Sequence, residues 1–236
     1  MRNVSGSFFR ACIAVIAVGL MFGGCNLSVN KSIRIGDGET VDHGANTVNG
    51  SIIVGNNCTV KGNCHTVNGR IKIGEKCEVR DLETVNMGIQ VGKDTAVEGD
   101  ISTVNGSISC DDGVKVDEGV STVNGSITCG SGVRVEQNLS NVNGNISLRN
   151  AEVMGDIKTN TGDITLEDKS LVKGDIIIRK SHSLSHRLRT LEIVISGDSV
   201  VKGGIIVKDD DMKVKVTLSR GGKVEGRIKN AEVVQE

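Results

Sequence analysis

Residues 120–139 read VSTVNGSITCGSGVRVEQNL, and this stretch decides the fold. Short alternating segments, at 122–123, 126–129 and 133–136, are parted by turn residues at Asn124-Gly125, Gly130-Ser131-Gly132 and Gln137-Asn138. Alternation predicts strands, and Gly, Asn and Ser between them predict corners. Three short strands and three corners make one triangular turn of a coil.

The same unit recurs along the chain. Val-Asn pairs stand at 29–30, 48–49, 67–68, 85–86, 104–105, 123–124 and 142–143, in steps of 19, 19, 18, 19, 19 and 19 residues. A nearly fixed short period is the mark of one unit stacked on itself. The columns carry the prediction further. Ile33, Ile52, Ile71, Ile89, Ile108, Ile127, Ile146 and Ile164 share one position, and two residues later come Ile35, Val54, Ile73, Val91, Cys110, Cys129, Leu148 and Leu166. The third strand supplies Val41, Val60, Val79, Val97, Val116, Val135, Val153 and Val172. Ala45, Cys64, Leu82, Ile101, Val120, Leu139 and Ile157 form a fourth column. Apolar residues on alternate positions face the inside of a pleated wall. The rival reading is a chain of hairpins turning at Asn-Gly, but such two-stranded units are too short to be stable. The expected fold is therefore all-β: a triangular parallel β-helix of about ten coils of 18–19 residues, right-handed by the general crossover preference.

The organisation expected along the chain has four parts. Residues 1–25 read as a signal peptide. Their only charges are Arg2 and Arg10, and the apolar run 11–22 is too short for the ~20 residues of a membrane span. The segment ends Phe22-Gly23-Gly24-Cys25, which resembles a bacterial lipoprotein cleavage box with Cys25 as the lipidated residue; Phe22 stands where Leu is usual. An ordinary signal cut near Gly23-Gly24 is the alternative. Residues 26–178 read as the regular solenoid, 179–190 as a polar, partly basic loop, and 191–236 as irregular final coils.

Composition narrows the function. No Trp or Tyr is present, and Phe8, Phe9 and Phe22 all lie in the first 25 residues. The aromatic walls that usually line ligand pockets and stack bases or sugars are missing. Without Arg2 and Arg10, 26 of the 28 Lys+Arg remain against 29 Asp+Glu, a net charge of −3. That is no footprint for nucleic acid.

Each candidate site also has a structural reading. Asn30, Asn49, Asn68, Asn86, Asn105, Asn124 and Asn143 are expected to stack as an inward ladder of amides. Asn there, and the Gly that usually follows, are expected to supply a left-handed corner. Cys58, Cys64, Cys77, Cys110 and Cys129 fall in inward columns and read as small core residues. Disulfides Cys58–Cys77 and Cys110–Cys129, between neighbours in adjacent coils, are the lesser reading. His182 and His186 read as loop residues. Glu98, Asp117 and Glu136 stack outward beside Lys115 and Arg134, as a charge-compensated wall. Asp156 and Asp175 stack at a corner and are a weak candidate for a calcium ion; no other metal site and no cofactor is expected.

The Thr-Val-Asn-Gly-Ser-Ile repeat with Val-x-Gly-Asp-Ile corners, over residues 29–230, resembles the bactofilin-like, polymer-forming β-helix proteins of bacteria. It is equally similar to the adhesin-like β-solenoids of exported bacterial proteins. The resemblance implies a right-handed β-helix that polymerises end to end, though an export signal departs from the cytoplasmic bactofilins. Three functions are expected in turn. The first is a non-catalytic structural or interaction protein of the cell envelope, anchored through a lipid at the outer membrane or the periplasmic face. The second is an exported polysaccharide-binding or polysaccharide-cleaving β-helix. The third is an assembly or adhesion factor whose envelope partner binds the final coils. For self-association, the first coil is the expected contact, and the charged C-terminal end is expected to be better guarded.

Overall fold

A computed structural model describes residues 27–180 and 190–236. The described residues form three parallel sheets and no helix. The first sheet runs from Leu27–Ser28 and Ala45–Thr47 to Ile228–Lys229, in eleven strands. The second runs from Ile33–Ile35 to Glu232–Gln235, also in eleven, and the third from Thr40–Val41 to Lys223–Val224 in ten. Each strand pairs with the equivalent strand one coil away, so the chain is a β-solenoid of about ten coils. No hairpin forms among the described residues.

The registers match the columns. Ile108 pairs with Ile127 and Ile127 with Ile146, Cys110 with Cys129, and Val116 with Val135. These side chains are fully buried and fill the interior without an aromatic ring. Burying each Ile or Leu contributes about 1.5–3 kcal/mol, repeated coil after coil. In the coil at 120–139 the strands are Val120–Thr122, Ile127–Cys129 and Arg134–Val135. The first strand thus lies two residues earlier than alternation around Thr122-Val123 predicts, because Val123 and Asn124 already belong to the corner.

The three corners solve different problems. Between the second and third sheets, one residue per coil takes a left-handed conformation at Gly38, Asn57, Lys76, Asp94, Gly113, Gly132 and Asn150, and two consecutive residues do so at Asp168-Lys169, Gly197-Asp198 and Arg220-Gly221. Gly, Asn and Asp dominate because an L-residue with a Cβ is strained there. The Asn-Gly corner was expected to need the same geometry, but it does not. No ladder Asn has positive φ, and of the Gly that follow only Gly144 does. Those glycines are required by close stacking instead. A Cβ on Gly125 would lie 2.0 Å from the Gly106 carbonyl oxygen.

The final coils differ from the rest. Thr190–Ile195 and Lys213–Leu218 pair over six residues. Beyond them, Val233 stacks on fully buried Val216 yet is 43% exposed. Among the described residues, the charges near the last coil leave Val233 uncovered. At the other end Ile33 and Val41 are only partly buried.

Candidate functional site

The Asn ladder forms, but on the outside. Asn49 Nδ2 donates to Asn30 Oδ1 at 2.7 Å, and the chain of bonds continues through Asn68, Asn86, Asn105 and Asn124 to Asn143, at 2.6–3.1 Å. All seven residues are exposed. Thr161 Oγ1 ends the row by donating to Asn143 Oδ1 at 2.8 Å.

The inward polar row is the threonine two residues before each Asn. Thr47, Thr66, Thr84, Thr103 and Thr122 are at most 5% exposed. Each hydroxyl donates to a corner carbonyl of the preceding coil: Lys31, Gly50, Gly69, Met87 and Gly106. At the buried Gly50 and Gly69 the carbonyl would otherwise lack a donor. Asn141 takes the Thr place in the next coil. Its Nδ2 donates to the Gly144 carbonyl, and its buried Oδ1 has no partner.

The five described cysteines are free and buried, so neither Cys58–Cys77 nor Cys110–Cys129 is a disulfide. For the first pair the reason is local. Cys58 Sγ donates to the Gly36 carbonyl at 2.9 Å and Cys77 Sγ to the Gly55 carbonyl at 3.1 Å. Each thiol is aimed at a corner of the preceding coil, not at the other thiol. Thr95 fills the same place and donates to the Gly74 carbonyl at 2.9 Å. Cys110 is held protonated by a hydrogen bond with Cys129 and by burial, which push its pKa up. Burial alone pushes Cys64 up to about 12. Thiols held in this state are poor nucleophiles and poor metal ligands.

Asp156 and Asp175 belong to a row of corner acceptors. Asp175 N–H donates to Asp156 Oδ1 at 2.9 Å, and Gly204 N–H to Asp175 Oδ1 at 2.7 Å. Asp81, Asp100 and Asn138 do the same in earlier coils. Burial works against ionising Asp156, but the Lys158 ammonium at 2.8 Å and the Asp175 N–H outweigh it and lower its pKa. No group of three or more His, Cys, Asp or Glu able to hold a metal occurs among the described residues. The row is a set of inter-coil fasteners, and the weak calcium candidate becomes part of the wall.

The outward acids are partly paired. Arg134 bridges Glu136 and Glu152, and Arg80 lies 3.4 Å from Glu98. Lys61–Asp42 and Lys202–Glu225, both at 2.7 Å, continue the pattern along the third sheet. Lys115 and Asp117 form no ion pair among the described residues. A pair that sequence reasoning missed is His65 Nδ1–Glu83 Oε2 at 3.1 Å, on the outer face of the first sheet. Cys25, His182 and His186 lie outside the described residues, and no helix among those described is long and apolar enough to cross a membrane.

No family model, curated protein or solved structure matches the chain. The geometry is that of a parallel β-solenoid whose conspicuous polar residues are mostly spent on joining one coil to the next.

Proposed function

We propose that the chain is a non-catalytic structural rod of the bacterial envelope, anchored by a lipid on Cys25 and acting by self-association or by presenting its walls to partners. The observation that carries this reading is the commitment of the side chains. The Asn, Thr, Asp and Cys rows, the natural candidates for a site, are occupied in bonds between coils. What remains available is the surface and the outer strand edges of the first and last described coils. Ile33 and Val41 at one end, and Val224, Ile228 and Val233 at the other, are incompletely covered beside strand edges with no partner among the described residues. Such edges invite pairing with another chain.

Two measurements test the two halves. Cys25→Ala should abolish lipid labelling and release the protein from membranes; unchanged labelling removes the anchor. Residues 29–236 should form dimers or short filaments in analytical ultracentrifugation. Arg34→Pro with Ser32→Lys should weaken them. Ile33 N–H is already used by Ser51 O, so strand alternation turns the Arg34 N–H away from the next coil, toward the outer edge of the second sheet. A strictly monomeric protein at high concentration would refute association.

A further inference from the structure

The outward face of the first sheet changes character along the rod. At its edge beside the Asn ladder stands a column of half-buried valines: Val48, Val67, Val85, Val104, Val123 and Val142. The same column continues as Asn160, Arg179 and Lys208. The central column is small or polar at Ser102, Ser121 and Ser140, then becomes Lys158, Ile177, Ile206 and Lys229. Arg227, two residues before Lys229, adds a further cation. Lys158 is paired with Asp156. Arg179, Lys208, Arg227 and Lys229 have no ion-pair partner among the described residues, and partial burial lowers the pKa of Arg179. In the coils after residue 150 the carboxylates of this face, Asp156 and Asp175, are both engaged by backbone N–H groups; in earlier coils the face also carries Glu83, paired with His65, and Asp81 and Asp100, likewise bonded to backbone N–H groups. Asp209–Asp211 lie past the strand end, with Asp209 only 5% exposed.

We infer that this face is a docking surface for an anionic lipid bilayer, so that the rod lies along a membrane on its first sheet. This deepens the membrane reading above but does not need the lipid on Cys25. Three features favour a bilayer. The face belongs to a sheet of eleven parallel strands, on the order of 50 Å long at ~4.8 Å per strand, and so is long enough to lie along a membrane. Its unpaired cations match anionic headgroups. Its isoleucines and valines lie among and in line with those cations, and the membrane interface rewards apolar area together with positive charge. A soluble polyanion would draw on the charge alone.

The test uses residues 26–236, which carry every described strand and need no lipidation. They should co-sediment with vesicles of phosphatidylcholine and phosphatidylglycerol, but not of phosphatidylcholine alone. Each Lys near an anionic surface strengthens binding about fivefold. Lys208→Gln with Lys229→Gln should therefore weaken binding on the order of 30-fold. The control, Lys115→Gln with Lys173→Gln on the third sheet, changes the net charge equally and should have far less effect. Ile206→Ser should weaken vesicle binding while leaving any binding of inorganic polyphosphate unchanged. Binding lost equally in both lysine pairs, binding to polyphosphate without binding to vesicles, or no binding to anionic vesicles would each overturn the inference. Loss of lipid labelling bears on Cys25 and leaves this result untouched. All four lysines are exposed, so an unchanged melting temperature confirms that each variant is folded.

Discussion

Replacing Thr84 by Val exchanges a hydroxyl for a methyl at constant shape, in a position with no solvent exposure. The hydroxyl donates to the Gly69 carbonyl at 2.8 Å, and no backbone N–H outside the strands reaches that oxygen. The substitution leaves a buried carbonyl without its donor, at a cost of about 1–3 kcal/mol, which the added methyl offsets only in part. We expect a loss of about 2 kcal/mol, or a melting temperature lower by roughly 4–8 °C for a chain of this size. Asn105→Ala is the comparison. It deletes two ladder bonds, to Asn86 at 3.1 Å and from Asn124 at 2.9 Å. Because the row is exposed, water takes over both partners, and the loss should be about 1 kcal/mol. Asn30→Ala breaks one bond and should cost less again. Thr84→Ser keeps the donor and should lose only about 0.8 kcal/mol for the missing methyl. Urea unfolding of the four variants measures the order. A loss in Asn105→Ala equal to that in Thr84→Val, or a silent Thr84→Val, would refute the assignment of Thr as the inward row.

Other outcomes follow from the same contacts. Cys58→Ser and Cys77→Ser should both fold, because the hydroxyl of Thr95 already makes the equivalent bond to a corner carbonyl; failure of either to express as folded protein would contradict that equivalence. Cys64 has a folded pKa of about 12 against an ordinary 9.0. The stability this confers is complete below pH 9 and is lost as pH rises toward 12, since the unfolded chain releases the proton first. Alkaline unfolding curves should show that slope in the parent protein and a weaker one in Cys64→Ala. Gly132 has φ +74°, and a Cβ placed there would meet no atom nearer than 3.7 Å, so it should accept Asn far better than Ala. Gly125, whose neighbour is only 2.0 Å away, should accept neither, as melting temperatures of the four variants will show.

The fold was legible because a solenoid writes its interior as columns. Ile at one place in eight successive coils, with an apolar residue two positions later, leaves little freedom in register. The inside and outside of the corner were harder to read, since Thr and Asn are both polar and both repeat. The deciding signal was where the strand stops. Val120 and Thr122 share inward parity, but the strand ends at Thr122, so alternation no longer governs Asn124, which lies in the corner and is exposed. Reading the Asn as the buried member carried the alternation past the end of the strand. The glycine after it was misread for a related reason. Asn-Gly suggests positive φ from local sequence alone, whereas the contact that excludes a side chain at Gly125 comes from Gly106, one coil away.

Function was less legible for a physical reason that also shows where to look. In a solenoid, three-dimensional neighbours are 18–19 residues apart, or further where a coil is enlarged, so a surface never appears as a contiguous motif. The change from Val142 through Asn160 to Arg179 and Lys208 is invisible along the chain and evident down the column. The same holds for Ile177 beside Ile206, which are 29 residues apart in sequence and adjacent in register. Rows that stay constant from coil to coil, such as the Thr and Asn rows, are explained by the stacking itself. A column that departs from its repeat is not required by stacking, because the earlier coils stack without it. The departures in this chain gather in the coils after residue 157, on one face of the first sheet and around exposed Val233. That is where a partner surface has room to differ from the scaffold that carries it.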